Sequence, residues 1–345
     1  MPRKIPIPSH LNGASFLSGD TDFHGLGRGR LRGRDVGHPF HGAYCVGIDL
    51  DSVLGLCRAF EPVMVAGQFF SHFTAALLFG VPLPEWVLPS PLHVVTLAAR
   101  AASSKAAPRY RGVVGHAFVD VGMTTGLQLG LPVVGVADLW FQLASVLSRE
   151  DLVAAGDYLI SGRRQWGGSR QQPLSTLAAL EAAVVRSARR RGTITANWAL
   201  SRLRIDVDSR PESLLRLVLV AEGFPEPGIN IPTLVDDGKL TLHADLTWHE
   251  WKIVLEYEGE EHRLNKRRFR SDISRREKFE TAGWRVIRVT ADDLGFDREA
   301  FIARVHRVIR ERVSIAILAS PFRDLRRRVL KSARMHSNRD LWSHL

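Results

Sequence analysis

The stretch HADLTWHEWKIVLEYEGEEH (243–262) carries the strongest structural signal in this chain of 345 residues. Its apolar runs predict two strands, over 239–248 and 252–259, that are joined by a three-residue turn into a β-hairpin. The flanking segments predict a helix before the hairpin and a helix, a strand and a helix after it, over 209–224, 267–284, 284–290 and 298–313. This order predicts a mixed sheet with helices against it, and the whole chain is expected to be α/β (α+β overall).

Three acidic residues lie in the otherwise apolar hairpin. Asp245 belongs to its first strand, and Glu256 and Glu258 belong to its second. Strand residues two positions apart share a face and lie about 6.6 Å apart, so the two glutamates are close enough to interact. If strand pairing places Asp245 beside them, the carboxylates repel one another unless a cation neutralises them. Mg²⁺ prefers such oxygen ligands, and His262 at the strand exit is a candidate base.

Each of these residues also has a structural interpretation. Glu256 and Glu258 would equally fit the solvent face of an edge strand, paired with Lys252 or an arginine. Glu212 follows Ser209 by three residues before an apolar run, which is the pattern of a capping box. In the functional interpretation Glu212 is a further carboxylate of the metal site, and the two roles are compatible.

The hairpin together with RSDISRREKFETAGWRVIRVTADDL (270–294) closely resembles the PD-(D/E)XK nuclease superfamily, and more narrowly the domains similar to very-short-patch-repair (Vsr-like) endonucleases. The resemblance covers about residues 206–313. It implies a restriction-endonuclease-like core in which Asp245 and Glu256 hold Mg²⁺ or Mn²⁺. It also implies that Glu212 is the acidic residue of the first helix and that His262 is the histidine found after the strand in this subgroup.

One position departs from the superfamily pattern. Glu258 occupies the place of the superfamily lysine, and a carboxylate cannot supply that lysine's positive charge. Candidate replacements are Lys266, Lys278, Arg275 or Arg276 on the following helix, or His262. The alternative is a domain that binds without catalysis.

Positive charge is concentrated at the C-terminal end of the chain. The formal net charge is +11, and residues 263–345 contain 22 Lys and Arg against 10 Asp and Glu, whereas residues 1–262 are close to neutral. Such a distribution is typical of nucleic-acid-binding proteins. The arginines of the charged helix are therefore expected to contact DNA phosphates, or to form intrahelical pairs on a solvated face: Arg267, Arg268, Arg270, Arg275 and Arg276.

The rest of the chain is expected to contain a flexible Gly/Arg-rich arm over 1–34, a mixed α+β domain over 35–205 and a basic tail over 314–345. The middle domain resembles antitoxins of the AbiEi type through its segments PFHGAY, FSHFTAALLFGVPLP, PLHVV and RGVVGH. Its histidines His72, His93 and His116 are far apart in sequence and are expected to be structural.

These observations define two functional hypotheses. The first is a Mg²⁺-dependent DNA endonuclease acting in defence, repair or a toxin–antitoxin system, with a toxin as a candidate partner. The second is a non-catalytic, antitoxin-type DNA-binding regulator that retains the nuclease fold. RNA binding through the Gly/Arg arm ranks behind both. Only two cysteines are present and no apolar run is long enough for a membrane helix, so a cytoplasmic protein is expected.

Overall fold

The computed structural model describes residues 6–22, 24–88, 91–98, 107–119, 122–165, 169–235, 238–259 and 266–319. The chain divides into two compact units. Unit 1 comprises Met1–Gly162 and Gln172–Leu203, and unit 2 comprises Arg163–Gln171 and Arg204–Leu345. Both units combine helices with sheets, so the mixed α+β class expected from the sequence is confirmed. No helix in the described part of the chain is both long and apolar enough to cross a membrane.

The described residues of unit 1 form two sheets and six α-helices. The strands are β1 (Ala14–Leu17), β2 (Gly37–Phe40), β3 (Ala43–Val46), β4 (Gln68–Phe70), β5 (Leu92–Ala98), β6 (Val113–Val119), β7 (Thr125–Gln128) and β8 (Leu131–Val134). The α-helices are α1 (Val53–Phe60), α2 (His72–Leu78), α3 (Val136–Leu143), α4 (Arg149–Ser161), α5 (Leu177–Arg186) and α6 (Thr193–Leu200). The sheets have the strand orders β1-β3-β2 and β6-β5-β4-β8-β7, and β5 and β6 are parallel.

The flexible arm predicted over residues 1–34 is wrong for the part that the structure describes. Strand β1 pairs with β3, and Leu11, Phe16, Leu26 and Leu31 form a buried cluster with Val46. Glycines and arginines dominate the composition of this segment, but its few large apolar side chains are spaced so that they pack together. Burial of these side chains supplies the free energy that composition alone did not suggest.

The described residues of unit 2 form a four-stranded and a two-stranded sheet. The elements are α7 (Arg210–Ala221), β9 (Gly228–Ile229), β10 (Pro232–Val235), β11 (Leu240–His243), β12 (Leu246–Trp248), β13 (Ile253–Tyr257), α8 (Lys266–Thr281), β14 (Arg285–Val289), α9 (Ala291–Leu294) and α10 (Arg298–Ala319). The larger sheet has the order β14-β13-β12-β9. Strand β13 is antiparallel to β12 and parallel to β14, so a helical crossover, α8, connects β13 with β14.

Two hydrophobic clusters cover opposite faces of this sheet. Alternate residues of β13, among them Ile253 and Leu255, pack with α7 and α10 in one cluster. Val254 packs on the other face with Phe279 of α8 and with Trp284. Because successive strand residues point to opposite faces, Glu256 shares its face with Val254 and therefore lies on the side of α8.

Three predicted boundaries in this part of the chain need correction. The single strand expected over 239–248 is broken, because β11 pairs with β10 in the small sheet while β12 joins the large one. Residues Arg163–Gln171, inside the domain expected over 35–205, belong instead to unit 2, where Arg164 and Arg170 form ion pairs with Asp208. The last helix extends to Ala319, past the expected start of the tail at 314, and residues 320–345 lie outside the described part.

Candidate functional site: an acidic cluster in unit 2

Asp245 lies at the break between β11 and β12. Its Oδ2 accepts a 2.7 Å hydrogen bond from the backbone N–H of Tyr257 on β13, and its carbonyl accepts one of 3.1 Å from Asn230. The strand pairing ends at Leu246 and Leu255, and Asp245 and Glu256 are the next residues on either side. The charge of Glu256 acts on the Asp245 carboxyl, in agreement with this proximity. Because the strand is interrupted at this point, the Asp245 carboxylate is held by a hydrogen bond to the opposite strand of the hairpin.

Glu256 is held from the side of α8. Arg275 Nε donates a 2.7 Å hydrogen bond to Glu256 Oε1 in a partly buried ion pair, and Arg275 Nη2 donates to the carbonyl of His243. The same guanidinium lies 5.8 Å from the centroid of the Phe279 ring. Among the candidate replacements for the superfamily lysine whose side chains the structure describes, Arg275 is the one that contacts Glu256.

Glu212 is buried at the start of α7, with 5% of its surface exposed. Its Oε2 accepts hydrogen bonds of 3.0 Å from the backbone N–H of Asp208 and from Asn230 Nδ2. Ser209 Oγ accepts from the Glu212 N–H at 3.4 Å, as the capping interpretation predicts, and the glutamate carboxylate interacts with the Ser209 side chain as well as with the Asp208 N–H. Ser209 therefore caps the helix, and the Glu212 carboxylate interacts with the charge of Asp245.

Burial and like charges raise the pKa values of two of these carboxyl groups. The pKa of Glu212 rises to about 8, mainly because the group is buried and then because of the charge of Asp245, against the opposing hydrogen bond from Asp208. The pKa of Asp245 rises to about 6 through burial and the charges of Glu256 and Asp208, against the N–H of Tyr257 and the charge of Arg275. The carboxylates thus interact electrostatically as the sequence predicted.

The acidic cluster of Asp245, Glu256 and Glu212 also includes Asn230 and Asp208, and sequence reasoning missed these two residues. Asn230 has a left-handed backbone (φ 49°), which asparagine tolerates, and its amide bridges Glu212 and the carbonyl of Asp206. Asp208 forms ion pairs of 2.7 Å with Arg164 and 2.6 Å with Arg170. The sequence signal for this arrangement was a pair of arginines, Arg164 and Arg170, in a glycine-rich segment. In the folded chain the backbones of these two residues form an isolated antiparallel β-bridge.

Glu258 forms an ion pair of its own with Arg288. Its Oε1 accepts from Arg288 Nε of β14, and its N–H donates to the Val289 carbonyl at 2.7 Å. Each of Glu256 and Glu258 is thus paired with an arginine, as the structural interpretation predicted, but β13 is a central strand and not an edge strand.

Among the remaining predicted site residues, the structure describes the side chain of Arg276. Arg276 forms an i,i+4 pair of 2.8 Å with Glu280 on the exposed face of α8. His262 lies outside the described residues. Arg267, Arg268 and Arg270 lie on α8, but their side chains also lie outside the described part.

Comparisons with known proteins add two relatives. No protein-family model matches the chain, and no solved structure gives a significant match. The uncharacterized proteins MT2308 and Rv2248, from two strains of Mycobacterium tuberculosis, are each 27% identical to it over 128 residues, which is 37% of this chain and 47% of each relative. The chain therefore spans about half the length of the curated relatives it matches, and neither printed name states an activity.

Proposed function

We propose that unit 2 is a metal-dependent DNA endonuclease domain of the PD-(D/E)XK type, similar to Vsr-like enzymes. The observation that carries the proposal is the position of Asp245, whose carboxylate is anchored on β13 beside Glu256 and within electrostatic reach of Glu212. The order α7, β9, β12, β13, α8, β14 agrees with the helix–hairpin–helix–strand order on which the resemblance rests. Both observations support a restriction-endonuclease-like core.

The acidic cluster fits a hard divalent cation in the chemistry of its donors. Its side chains offer only carboxylate and amide oxygens, which suit Mg²⁺ or Mn²⁺. Burial and mutual repulsion raise the pKa values of Asp245 and Glu212, and a bound cation would relieve this repulsion. No three described carboxylates bring ligand atoms within 4.8 Å of one another. The fit is therefore to Mg²⁺, which uses one or two carboxylates and retains several waters.

In this proposal Asp245 and Glu256 hold the ion and Glu212 assists from α7. When bound, the ion polarises the scissile phosphate and activates a water molecule. Arg275 supplies the fixed positive charge that Glu258 cannot supply, because its guanidinium lies against Glu256. Arg276, on the exposed face of α8, is available to the phosphate backbone, and such contacts confer affinity without sequence preference.

A cleavage assay with plasmid and single-stranded DNA in Mg²⁺ or Mn²⁺ tests this proposal. Wild-type protein is expected to cleave, and Glu256→Gln is expected to lower the rate by at least about 100-fold because a metal ligand is lost. The matched control is Glu277→Gln, an exposed glutamate on α8, which should cleave at the wild-type rate. Equal cleavage by Glu256→Gln, or none by the wild type with either ion, would contradict the proposal.

A second candidate, a non-catalytic DNA-binding regulator, is favoured by one specific observation. Glu256 of β13 and Glu258, which follows the strand, already have arginine partners, Arg275 and Arg288 respectively. In a regulator these ion pairs take the place of the metal, and the Arg275–Glu256 pair holds α8 on the sheet. Such a protein binds DNA with a salt-dependent affinity and does not cleave it.

Arginine variants on α8 distinguish the two candidates. In a nuclease, Arg275→Gln is expected to reduce cleavage strongly and Arg275→Lys to retain part of it, because lysine keeps the charge. In a regulator neither variant cleaves, and Arg275→Gln acts only on stability.

Arg276→Gln is expected in both cases to weaken DNA binding and to reduce the slope of log affinity against log salt by about one. An unchanged slope would exclude Arg276 as a phosphate contact.

A further inference from the structure

Three histidines from distant parts of the sequence meet inside unit 1. His72 begins α2, His93 lies on β5 and His116 lies on β6, and one ligand nitrogen from each lies within 4.8 Å of the other two. The parallel register pairs Val95 with His116, so His93, two residues before Val95, points to the same face as His116. The described residues contain no other group of three histidine, cysteine or acidic side chains this close together.

The backbone holds the histidines in these positions. The N–H of Ser71 donates to the His93 carbonyl at 2.9 Å, and Thr74 Oγ1 accepts from the His93 N–H at 2.7 Å. His72 has a left-handed backbone with φ 45°, which is unfavourable for a residue with a side chain. Its N–H donates to Gln142 Oε1 at 3.3 Å. Such a strained conformation is maintained only where surrounding contacts determine it.

All three imidazoles are neutral at physiological pH and therefore offer lone pairs. Burial and the neighbouring histidines keep the pKa of His72 well below its usual value and lower the pKa of His93 to about 4. Burial also lowers the pKa of His116. Neutral imidazole is the form that binds metals, and each ring then offers one lone pair.

The nitrogen positions match the dimensions of a zinc site. His93 Nδ1 and His116 Nε2 are hydrogen-bonded to each other at 3.1 Å, so the proton between them must move to the other nitrogen of its ring before both atoms can bind a metal. Two nitrogens bound tetrahedrally to Zn²⁺ at 2.0–2.1 Å lie about 3.3–3.4 Å apart. The rings of His72 and His116 are stacked with centroids 3.7 Å apart, so binding requires one of them to turn about χ2. His116 is only partly buried, so it is the ring that we expect to turn.

The surroundings also resemble those of a metal site. Ser71 Oγ lies 3.0 Å from His72 Nδ1, an arrangement that fixes the ring orientation and leaves Nε2 for a ligand role. Phe73 packs edge-on against His93, and Phe118 stacks near His72. Within the described residues, Gln142 Nε2 is a buried donor without a hydrogen-bond partner. Because the Gln142 amide lies against the His72 backbone, an acceptor bound beside His72 would satisfy this donor.

We propose that His72, His93 and His116 form a three-imidazole site for a zinc-class divalent metal, with a fourth position open to water or an exogenous ligand. Imidazole sets of this kind favour Zn²⁺, Co²⁺ or Cu²⁺ over Mg²⁺. The site belongs to unit 1, whereas the acidic cluster belongs to unit 2. None of its three ligands therefore belongs to the acidic cluster.

Metal titration of the full chain, without a polyhistidine tag, tests the site. The metal-free protein is expected to bind about one equivalent of Zn²⁺, and Co²⁺ in its place should give the visible absorption of a low-coordinate imidazole complex. His93→Gln and His116→Gln are each expected to weaken Zn²⁺ binding by more than about 100-fold, since loss of a second-sphere partner alone costs 10- to 100-fold. His38→Gln, an exposed histidine of unit 1 stacked on Tyr44, is the matched control and should bind as the wild type does.

X-ray absorption of the Zn²⁺-loaded wild type keeps the test decisive if the variants fail to fold. Three imidazole nitrogens at about 2.0 Å support the proposal. The proposal is overturned if the wild type binds no Zn²⁺ at micromolar concentration, if the spectrum shows fewer than three imidazoles, or if folded His116→Gln binds with wild-type affinity.

Discussion

Asp245→Asn is expected to reduce metal-dependent cleavage by at least about 100-fold and, at the same time, to stabilise the metal-free protein above pH 6. Both effects have the same origin, a buried negative charge whose neighbours are also negative. Asparagine can still accept the hydrogen bond from the Tyr257 N–H, so the local geometry has reason to persist. The substitution removes the negative charge. Metal binding requires this charge, whereas in the metal-free protein the charge lowers the free energy of unfolding.

The sign of the pH effect follows from the raised pKa of Asp245. Between pH 4 and about 6 the folded state keeps a proton that the unfolded chain has released, so the unfolding free energy falls as pH rises through this window. The loss is roughly 2–3 kcal/mol, since one pKa unit corresponds to 1.36 kcal/mol. The amide of the Asp245→Asn variant does not titrate, and removal of the charge also lowers the pKa of Glu212. The variant is therefore expected to be the more stable protein at pH 7.5.

Urea unfolding between pH 4 and pH 8 tests this prediction, first in EDTA and then in 10 mM Mg²⁺. This Mg²⁺ concentration is roughly ten times a millimolar dissociation constant, the scale on which ligand binding adds measurable stability. Mg²⁺ is expected to stabilise the wild type and not Asp245→Asn. Glu277→Gln is the control and should follow the wild-type curve under both conditions. If the wild type is as stable as the variant at pH 7.5 without metal, the charge of Asp245 does not destabilise the folded protein.

Phe279→Ala is expected to destabilise unit 2 by about 3–5 kcal/mol, the usual cost of truncating a fully buried phenylalanine. Phe279 has no exposed surface and forms one cluster with Val254, Val286 and Trp284 between α8 and the sheet. Its ring also lies under the Arg275 guanidinium. A cavity here removes the packing that positions Arg275 against Glu256, so the damage should reach the acidic cluster as well as the core.

Chemical denaturation of the full chain, monitored by tryptophan fluorescence, measures the effect. The matched control is Phe296→Ala, because Phe296 is 96% exposed and its truncation should change stability by less than about 0.5 kcal/mol. Phe279→Leu should lie between the two, since it keeps most of the apolar volume. Equal stability of Phe279→Ala and Phe296→Ala would mean that α8 does not pack on the sheet as described.

Local sequence patterns were sufficient to predict most helices and strands of unit 2. The hairpin turn, the helix after Ser209 and the strand after Gly283 all lie near their predicted positions, because each depends on neighbouring residues: a turn, a cap and an alternation of apolar residues. The same local patterns failed over residues 1–34, where a few scattered apolar residues form a cluster only when β1 meets β3.

Asp245 and Glu256 were also predictable as acidic residues on adjacent strands, and Glu212 was identified as the acidic residue of the preceding helix. Their partners were not, because Arg275 approaches Glu256 from a helix 19 positions later and Asn230 reaches Glu212 from 18 positions away. The sequence also placed His72, His93 and His116 too far apart to be considered together. Strand order and register bring them within 4.8 Å, and only tertiary structure determines strand order and register.

The sequence by itself therefore determined the mixed α+β class, the hairpin and the acidic residue types, since these depend on interactions between near neighbours in the chain. The tertiary structure decided the break at Asp245, the arginine partners of Glu256 and Glu258, and the assembly of the three histidines. These features depend on which distant segments share a core, and that choice is made by the burial of apolar surface summed over a whole unit.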